Sequence, residues 1–325
     1  MALIKAMAGA TAAMAALVAV VVAASPAARA AKLLTVTEYG VAATSLPWGV
    51  ARDQGLFKKN GLDFDGIIGS NGGGTAVRNM MASDLPFGEI STSGAVSAVQ
   101  TGLDVLFVYS ANNNSGGMAW ITLPGSPVKT LMDLKGRKVG YTNPRSTTET
   151  FIRIILHNSG LTNDVTLTPT GGIAPGLTIL NQGAIDAVPV DEPELYPAGK
   201  YRRVFFVRDY VPEATWTVGI TTRAFATSNP DMVRKLVLVH RQAVDFMREH
   251  TDAAAKTYAK DWNIPEPQAK EVMHNLFAAN YWSRGDFNMK ALDVLVSGMG
   301  MTGALKGPVD FAKLIDKSFL PPDLR

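Results

Sequence analysis

The stretch WGVARDQGLFKKNGLDFDGIIGSNGGGTAVRNMMASDLPFGEISTSGAVSAVQTG, residues 48–102, holds the pattern from which the fold is read. A short amphipathic helix carrying Gln54-Gly55-Leu56-Phe57 opens it, and an apolar strand is predicted over 62–68. A glycine-rich turn at 71–75 then starts a second helix that runs to residue 81. The theme repeats with apolar 85–90, the turn Ser91-Thr92-Ser93-Gly94, and an alanine-rich helix. Twice a strand feeds a small-residue turn that opens a helix. Such a helix start presents backbone N–H groups that have no intrahelical partner.

Outward from this stretch, apolar strand-like runs alternate with helical patterns, as in α/β layers. Leu33–Thr37, 62–68, 85–90 and 105–109 read as strands of a first lobe. A polar stretch at 112–117, a strand at 118–123 and the turn Gly125-Ser126-Pro127 lead into a second series. There, Lys138–Tyr141, 165–168, 187–190 and 204–207 are predicted strands, with helices at 147–159 and 176–182. Thr217–Thr222 reads as a strand returning toward the first lobe. A helix-rich tail follows Asn229-Pro230, with Met232, Leu236, Val239, Ala243 and Met247 at three- and four-residue spacing.

The N-terminus carries the features of a cleavable leader. Lys5 precedes an apolar run at 6–24, Pro26 breaks it, and Ala28-Arg29-Ala30 matches the small-x-small cleavage rule. A signal peptide over 1–30 and a periplasmic mature protein are therefore expected. The whole chain carries a net charge of +3, of which Lys5 and Arg29 belong to the leader. A near-neutral remainder lacks the concentrated basic face that nucleic acid requires. The chain has no cysteine, which removes disulfides, thiol catalysis, thiolate metal sites and a lipoprotein anchor together. His157, His240, His250 and His274 share no metal-ligand spacing, so no metal and no cofactor are expected.

On these strand–turn–helix units, most of residues 32–280 resembles the extracytoplasmic solute-binding proteins of ABC importers. The branch is that of sulfonate, taurine and nitrate carriers and of thiamine-precursor (NMT1/THI5-like) carriers. The resemblance implies an α/β, two-lobed periplasmic-binding-protein fold of type II. Each lobe would be a mixed sheet flanked by helices, with a ligand cleft between them and crossovers near 118–124 and 219–225. Lobe 1 is expected over 31–120 plus 224–325, and lobe 2 over 121–223. The implied function is capture of a small polar organic ligand (sulfonate, carboxylate, zwitterion or pyrimidine-like) by hinged closure, for delivery to an ABC permease and its ATPase. A monomer without enzymatic activity is expected. Two alternatives stand beside it: a thiamine-pyrimidine synthase-like enzyme on the same fold, and a binding protein feeding a sensor.

The candidate ligand-binding residues follow the helix entries. Gly73, in the glycine turn, either satisfies a helix start or lets the backbone approach a polar ligand. Ser91, Thr92 and Ser93 bring three hydroxyls to one helix entry, where at least one serves as a cap. The matching turn of the second series is Asn143-Pro144-Arg145-Ser146-Thr147-Thr148-Glu149. Ser146-x-x-Glu149 fits a capping box, which leaves Asn143, Arg145, Thr147 and Thr148 for a ligand. In the family this turn resembles the one that grips the ligand's anionic or polar head. Asp191 and Glu192, after an apolar strand, either complement a helix dipole or accept from an amine or ring N–H. Tyr39, Trp48 and Trp216 are candidate aromatic walls, or core.

Overall fold

The computed structural model describes residues 31–195 and 199–325; the expected leader lies outside the described residues. The elements follow in chain order. The first are β1 (Leu33–Thr37), α1 (Leu46–Asp53), α2 (Leu56–Lys59), β2 (Gly66–Ser70), α3 (Gly73–Ala82), β3 (Phe87–Ser91), α4 (Thr92–Gln100) and β4 (Val105–Ser110). A second series comprises β5 (Ala119–Thr122), β6 (Lys138–Tyr141), α5 (Thr147–Asn158), β7 (Thr166–Pro169), α6 (Ile173–Asn181), β8 (Val188–Val190) and β9 (Arg202–Phe206). Then come β10 (Thr217–Thr222), α7 (Arg223–Ser228), α8 (Pro230–Glu249), α9 (Thr251–Trp262), α10 (Glu266–Ala278), α11 (Met289–Met301) and α12 (Phe311–Leu314). Among these helices none is long and apolar enough to cross a membrane.

The first sheet runs β2-β1-β3-β10-β4. Its β1, β2 and β3 are parallel, and β10 lies antiparallel between β3 and β4. In the second half, β5 pairs antiparallel with β8 and β9, while β6 pairs parallel with β7. A parallel bridge between Val139 and Ala187, with Gly140 N–H donating to Ala187 O at 2.7 Å, joins β6 to the run into β8. The second order is therefore β7-β6-β8-β5-β9, which repeats the first strand for strand. In each half the antiparallel member is the strand next to a crossover.

Sheet membership moves the crossovers away from their predicted places. The chain leaves the first sheet after Ser110 and returns before Thr217, so Ala119 and Trp120 belong to the second sheet and β10 to the first. Apolar runs report a strand but not its partners, and partners decide the boundary. The strand expected at 62–68 begins instead at Gly66. Leu62 N–H turns back to Phe57 O at 2.9 Å, which closes the end of α2 and keeps 62–65 out of the sheet.

The helix starts follow local chemistry. Pro230 opens α8 at its first turn, and Asn288, Thr222 and Ser146 cap α11, α7 and α5 by accepting from backbone N–H groups. The core of the first sheet is continuous. Leu34, Val36, Phe87, Val108, Trp48 and Tyr109 are buried together with Leu236, Val239 and Ala243 of α8. On the other face Ala76, Ile90, Val96 and Phe107 pack with Leu292 and Met299 of α11. Burying each large apolar side chain contributes about 1.5–3 kcal/mol. The starts of α3 and α4 touch at Gly73 and Gly94, where a Cβ on Gly94 would meet the Gly73 backbone at 2.6 Å. Glycine here permits close helix approach.

Candidate functional site

Both sheets end their parallel strands on polar residues, the usual ligand side of an α/β sheet. β1 runs out into Glu38, β3 into Ser91-Thr92-Ser93, and β8 into Asp191-Glu192. These ends meet. Ser93 Oγ lies 3.2 Å from Thr147 Oγ1 at the start of α5. Across the same junction Ala43 N–H donates to Asp191 Oδ2 at 3.1 Å.

The hydroxyls at the two helix entries divide their work. Ser91 Oγ accepts from Gly94 N–H at 3.2 Å and so caps α4. Thr92 is tied to the segment before β10, its hydroxyl donating to Thr215 O at 2.6 Å and its N–H to Trp216 O at 2.8 Å. Ser93 alone of the three points to the second half. In the other turn, Ser146 Oγ accepts from Glu149 N–H at 3.2 Å, as the capping box predicted. Glu149 reaches back one residue further than the box requires, to Arg145 N–H at 2.6 Å. Thr148 Oγ1 accepts from Thr142 N–H at 2.8 Å and holds the turn together. That leaves Thr147 as the inward hydroxyl.

Several expected residues lie elsewhere. Trp48 is a core side chain: it is fully buried, stacks on Phe57 at 6.0 Å, and donates from Nε1 to Glu89 Oε2 at 2.9 Å. An apolar ring on the inner face of α1 is drawn beneath the sheet, not into the cleft. Tyr39 turns to the outer side, where its hydroxyl accepts from Arg52 at 2.7 Å. There it helps to line a surface cavity of about 360 Å3 with Arg52, Phe57 and Lys58. The Cβ direction of Gly73 is filled by Ser91 Oγ and Gly94, so helix packing accounts for this glycine. Asn143 and Arg145 are exposed, and Arg145 adopts a left-handed φ of 64°.

Asp191, Glu192 and Trp216 are buried at the junction, joined by residues with no sequence signal. Glu38 sits at a left-handed φ of 53° and accepts from Gly72 N–H at 2.8 Å. That backbone outlier, rare for a non-glycine residue, is visible only in the structure. Tyr281 is buried after α10, its ring closed against Gly116. Four buried atoms here have no hydrogen-bond partner among the described residues: Glu192 Oε2, Trp216 Nε1, Tyr281 Oη and Ser115 Oγ. Tyr281 Oη is close enough to Thr44 and Trp216 Nε1 to interact electrostatically, without reaching hydrogen-bond geometry. A buried polar atom left without a partner costs about 1–3 kcal/mol, so this set suits a polar guest.

The electrostatics are acidic. Burial raises Asp191 to about 6, opposed by the Ala43 and Glu192 N–H groups. Glu192 rises to about 7, chiefly through burial, with Arg208 and an Asn275 side-chain hydrogen bond opposing and Asp191 reinforcing the shift. Glu38 is raised by burial, with the Gly72 N–H opposing and Asp191 adding to it. The Arg208 guanidinium is engaged with Gly116 O at 2.5 Å and stacks over Phe206 at 3.8 Å. Among the described residues no group of three or more His, Cys, Asp or Glu is arranged to hold a metal ion. The site can therefore bind through the Ser93 and Thr147 hydroxyls on one side and carboxyls on the other.

Comparison with known proteins places this geometry in context. The NMT1/THI5-like family model matches residues 42–254, and the chain belongs to that family. A Bacillus subtilis protein whose name assigns it to aliphatic sulfonate binding is 22% identical, over 89% of this chain and 88% of its own. The periplasmic aliphatic sulphonate binding protein SsuA of Escherichia coli superposes with a TM-score of 0.73 at 17% identity, covering 90% of this chain and 92% of its own. The alkanesulfonate-binding SsuA of Xanthomonas axonopodis pv. citri, solved with MOPS, gives 0.73 at 17% identity, over 89% and 99%. The desulfurization enzyme DSZB also shares the fold, with a TM-score of 0.62 at 16% identity over 89% and 97%. The two-lobed periplasmic-binding-protein architecture is thus shown.

Proposed function

We propose that this member of the NMT1/THI5-like family is the periplasmic solute-binding component of an ABC importer. Its lobes are 31–110 with 217–325, and 119–206, following sheet membership. One observation carries the reading: buried polar groups of both halves meet at the ends of their strands, through Ser93 with Thr147 and Asp191 with Ala43. A ligand bridging those groups favours the closed arrangement by its differential affinity for it. Ser93 and Thr147, at the starts of α4 and α5, suit a sulfonate- or carboxylate-like head. Asp191 and Glu192 suit an amine or ring N–H. A zwitterion or a polar heteroaromatic acid satisfies both ends better than an inorganic anion.

The names of the sulfonate-binding relatives support an anionic head. The leader motif at 1–30 supports export, and the family supports a permease and ATPase as partners of a monomeric carrier. Kinship of fold with DSZB favours an enzyme as the second reading. The absence of cysteine from the chain disfavours a thiol-dependent one. A thermal-shift screen against sulfonates, aromatic acids, pyrimidines and amino acids tests the proposal. A ligand at about 100 times its dissociation constant adds ~2.7 kcal/mol of stability. With the best ligand, calorimetry on Asp191→Asn and Thr147→Ala should show affinity reduced at least about tenfold in each, or ~1.4 kcal/mol. Unchanged affinity in both would sink the site assignment.

A further inference from the structure

Beneath the junction lies a buried polar cluster that ligand contact does not use. Glu89, in the middle of the first sheet, is fully buried. Its Oε1 accepts from Thr44 Oγ1 at 3.0 Å, and its Oε2 from Trp48 Nε1 at 2.9 Å and Tyr109 Oη at 3.1 Å. His240 Nε2, also fully buried, stands 3.8 Å from Oε2. Tryptophan and tyrosine could pack under this sheet without a carboxylate, and an unneeded buried acid is costly. The informative partner is Thr44, whose Oγ1 also lies 2.8 Å from Thr217 Oγ1 of β10. Thr44 belongs to the short helical turn Ala43–Ser45, whose first N–H, that of Ala43, meets Asp191 across the two halves. Trp282 Nε1 holds the same turn from the tail by donating to Ala43 O at 3.0 Å.

We propose that Glu89 is a positioning residue for closure: through the Thr44 hydroxyl it fixes the turn that aims the Ala43 N–H at the Asp191 carboxyl. The inference rests on the closure reading above, but its first test needs no ligand. The Ala43 hydrogen bond lowers the pKa of Asp191 against burial, so losing it raises that pKa above about 6. Glu38, Glu192 and the Tyr281 phenol face the same carboxyl and stay in place in every variant below.

Three variants of the full chain separate positioning from general stabilisation. Thr44→Val removes the link, Thr44→Ser keeps it, and Tyr109→Phe removes a different hydrogen bond from the same carboxylate. A Thr217→Val control, which removes the contacts of Thr217 Oγ1 with Thr44 Oγ1 and Asn112 Oδ1, should leave both readouts below unchanged. The readouts are carboxyl titration of Asp191 and amide exchange at Ala43, both by NMR on ligand-free protein. Thr44→Val should raise the Asp191 pKa and speed Ala43 exchange at least fivefold. Thr44→Ser and Tyr109→Phe should change neither, although Tyr109→Phe lowers thermal stability. Should the valine variant fail to fold, Thr44→Ala takes its place. Equal effects from Thr44→Val and Tyr109→Phe, or no effect from either, would overturn the proposal. A second arm measures MOPS binding by calorimetry, where only the link-breaking variant should weaken affinity. If wild type binds no MOPS, the titration and exchange still decide the role of Glu89.

Discussion

The two sheets share a strand order but bury their acids in different places. In the first, β3, β4 and nearly all of β10 are buried, with apolar packing on both faces from α8 and α11. In the second, β7 has exposed ends and β9 is only partly buried. Yet β5 and β8 are fully buried: Trp120, Val139, Phe151, Ile155 and Phe205 join the same core as the first sheet, and Ile121, Leu180, Ile185, Val188 and Val190 form a further cluster. Both halves are thus densely packed at their centres and more open at the edge strands β2 and β7. The first holds its acid in mid-strand, as Glu89, whereas the second carries Asp191 and Glu192 at the rim where the halves meet. Strand order frames each half alike, and the place of the buried acid tells them apart.

The sharpest way to break that contrast is core truncation. Phe87→Ala in the first sheet should cost about 3–5 kcal/mol in urea unfolding, because the cavity opens among rigid neighbours. Leu167→Ala in β7, where the side chain is only half-buried, should cost about 1 kcal/mol. Equal losses would refute the contrast between a packed centre and an open edge.

An intermediate effect comes from pH. Glu89 and Glu192 are both raised to about 7 by burial, and Asp191 to about 6. An acid whose pKa rises on folding holds its proton more tightly in the native state. Its contribution is therefore largest below the unfolded pKa, near 4, and is lost as pH rises through the folded value. The ligand-free melting temperature should fall between about pH 5 and 8. Glu89→Gln and Glu192→Gln should each flatten that decline. A bound ligand should restore stability at pH 8 by satisfying Glu192, while leaving the Glu89 contribution unchanged. A flat wild-type profile would contradict the assignment.

The smallest expected effect is at Arg145. Its side chain is exposed at the second turn, so Arg145→Ala should alter stability by no more than about 0.5 kcal/mol and ligand affinity by less than about twofold. A large loss of affinity would show that the second half swings this arginine inward on binding.

Much of the architecture was legible because it is written locally. Strand–turn–helix alternation, the cap at Ser146 and the proline start of α8 each depend on residues a few positions apart. The crossovers were legible only in part: Thr217–Thr222 reads as a strand returning to the first lobe, but the apolar run at 118–123 does not name the sheet that receives it. Of the candidate site, Ser93, Thr147, Asp191 and Glu192 could be placed at strand ends from sequence, and the structure brings those ends together. The tryptophans show the limit. Trp48 and Trp216 sit in similar apolar settings, and only long-range packing sends one under the sheet and the other to the junction. Glu38 and Tyr281 left no trace in the sequence, because a strained φ and a tail folded back are products of the whole chain.

The placement of β10 has a further consequence, for the order of folding. It lies between β3 and β4, pairing Thr217 with Ser91, so the first sheet cannot be completed until all of 119–206 has been made. The second sheet draws its strands from that one contiguous segment and closes over shorter loops, which are faster to form. The second half is thus able to finish first, with the first sheet sealed when its last strand arrives.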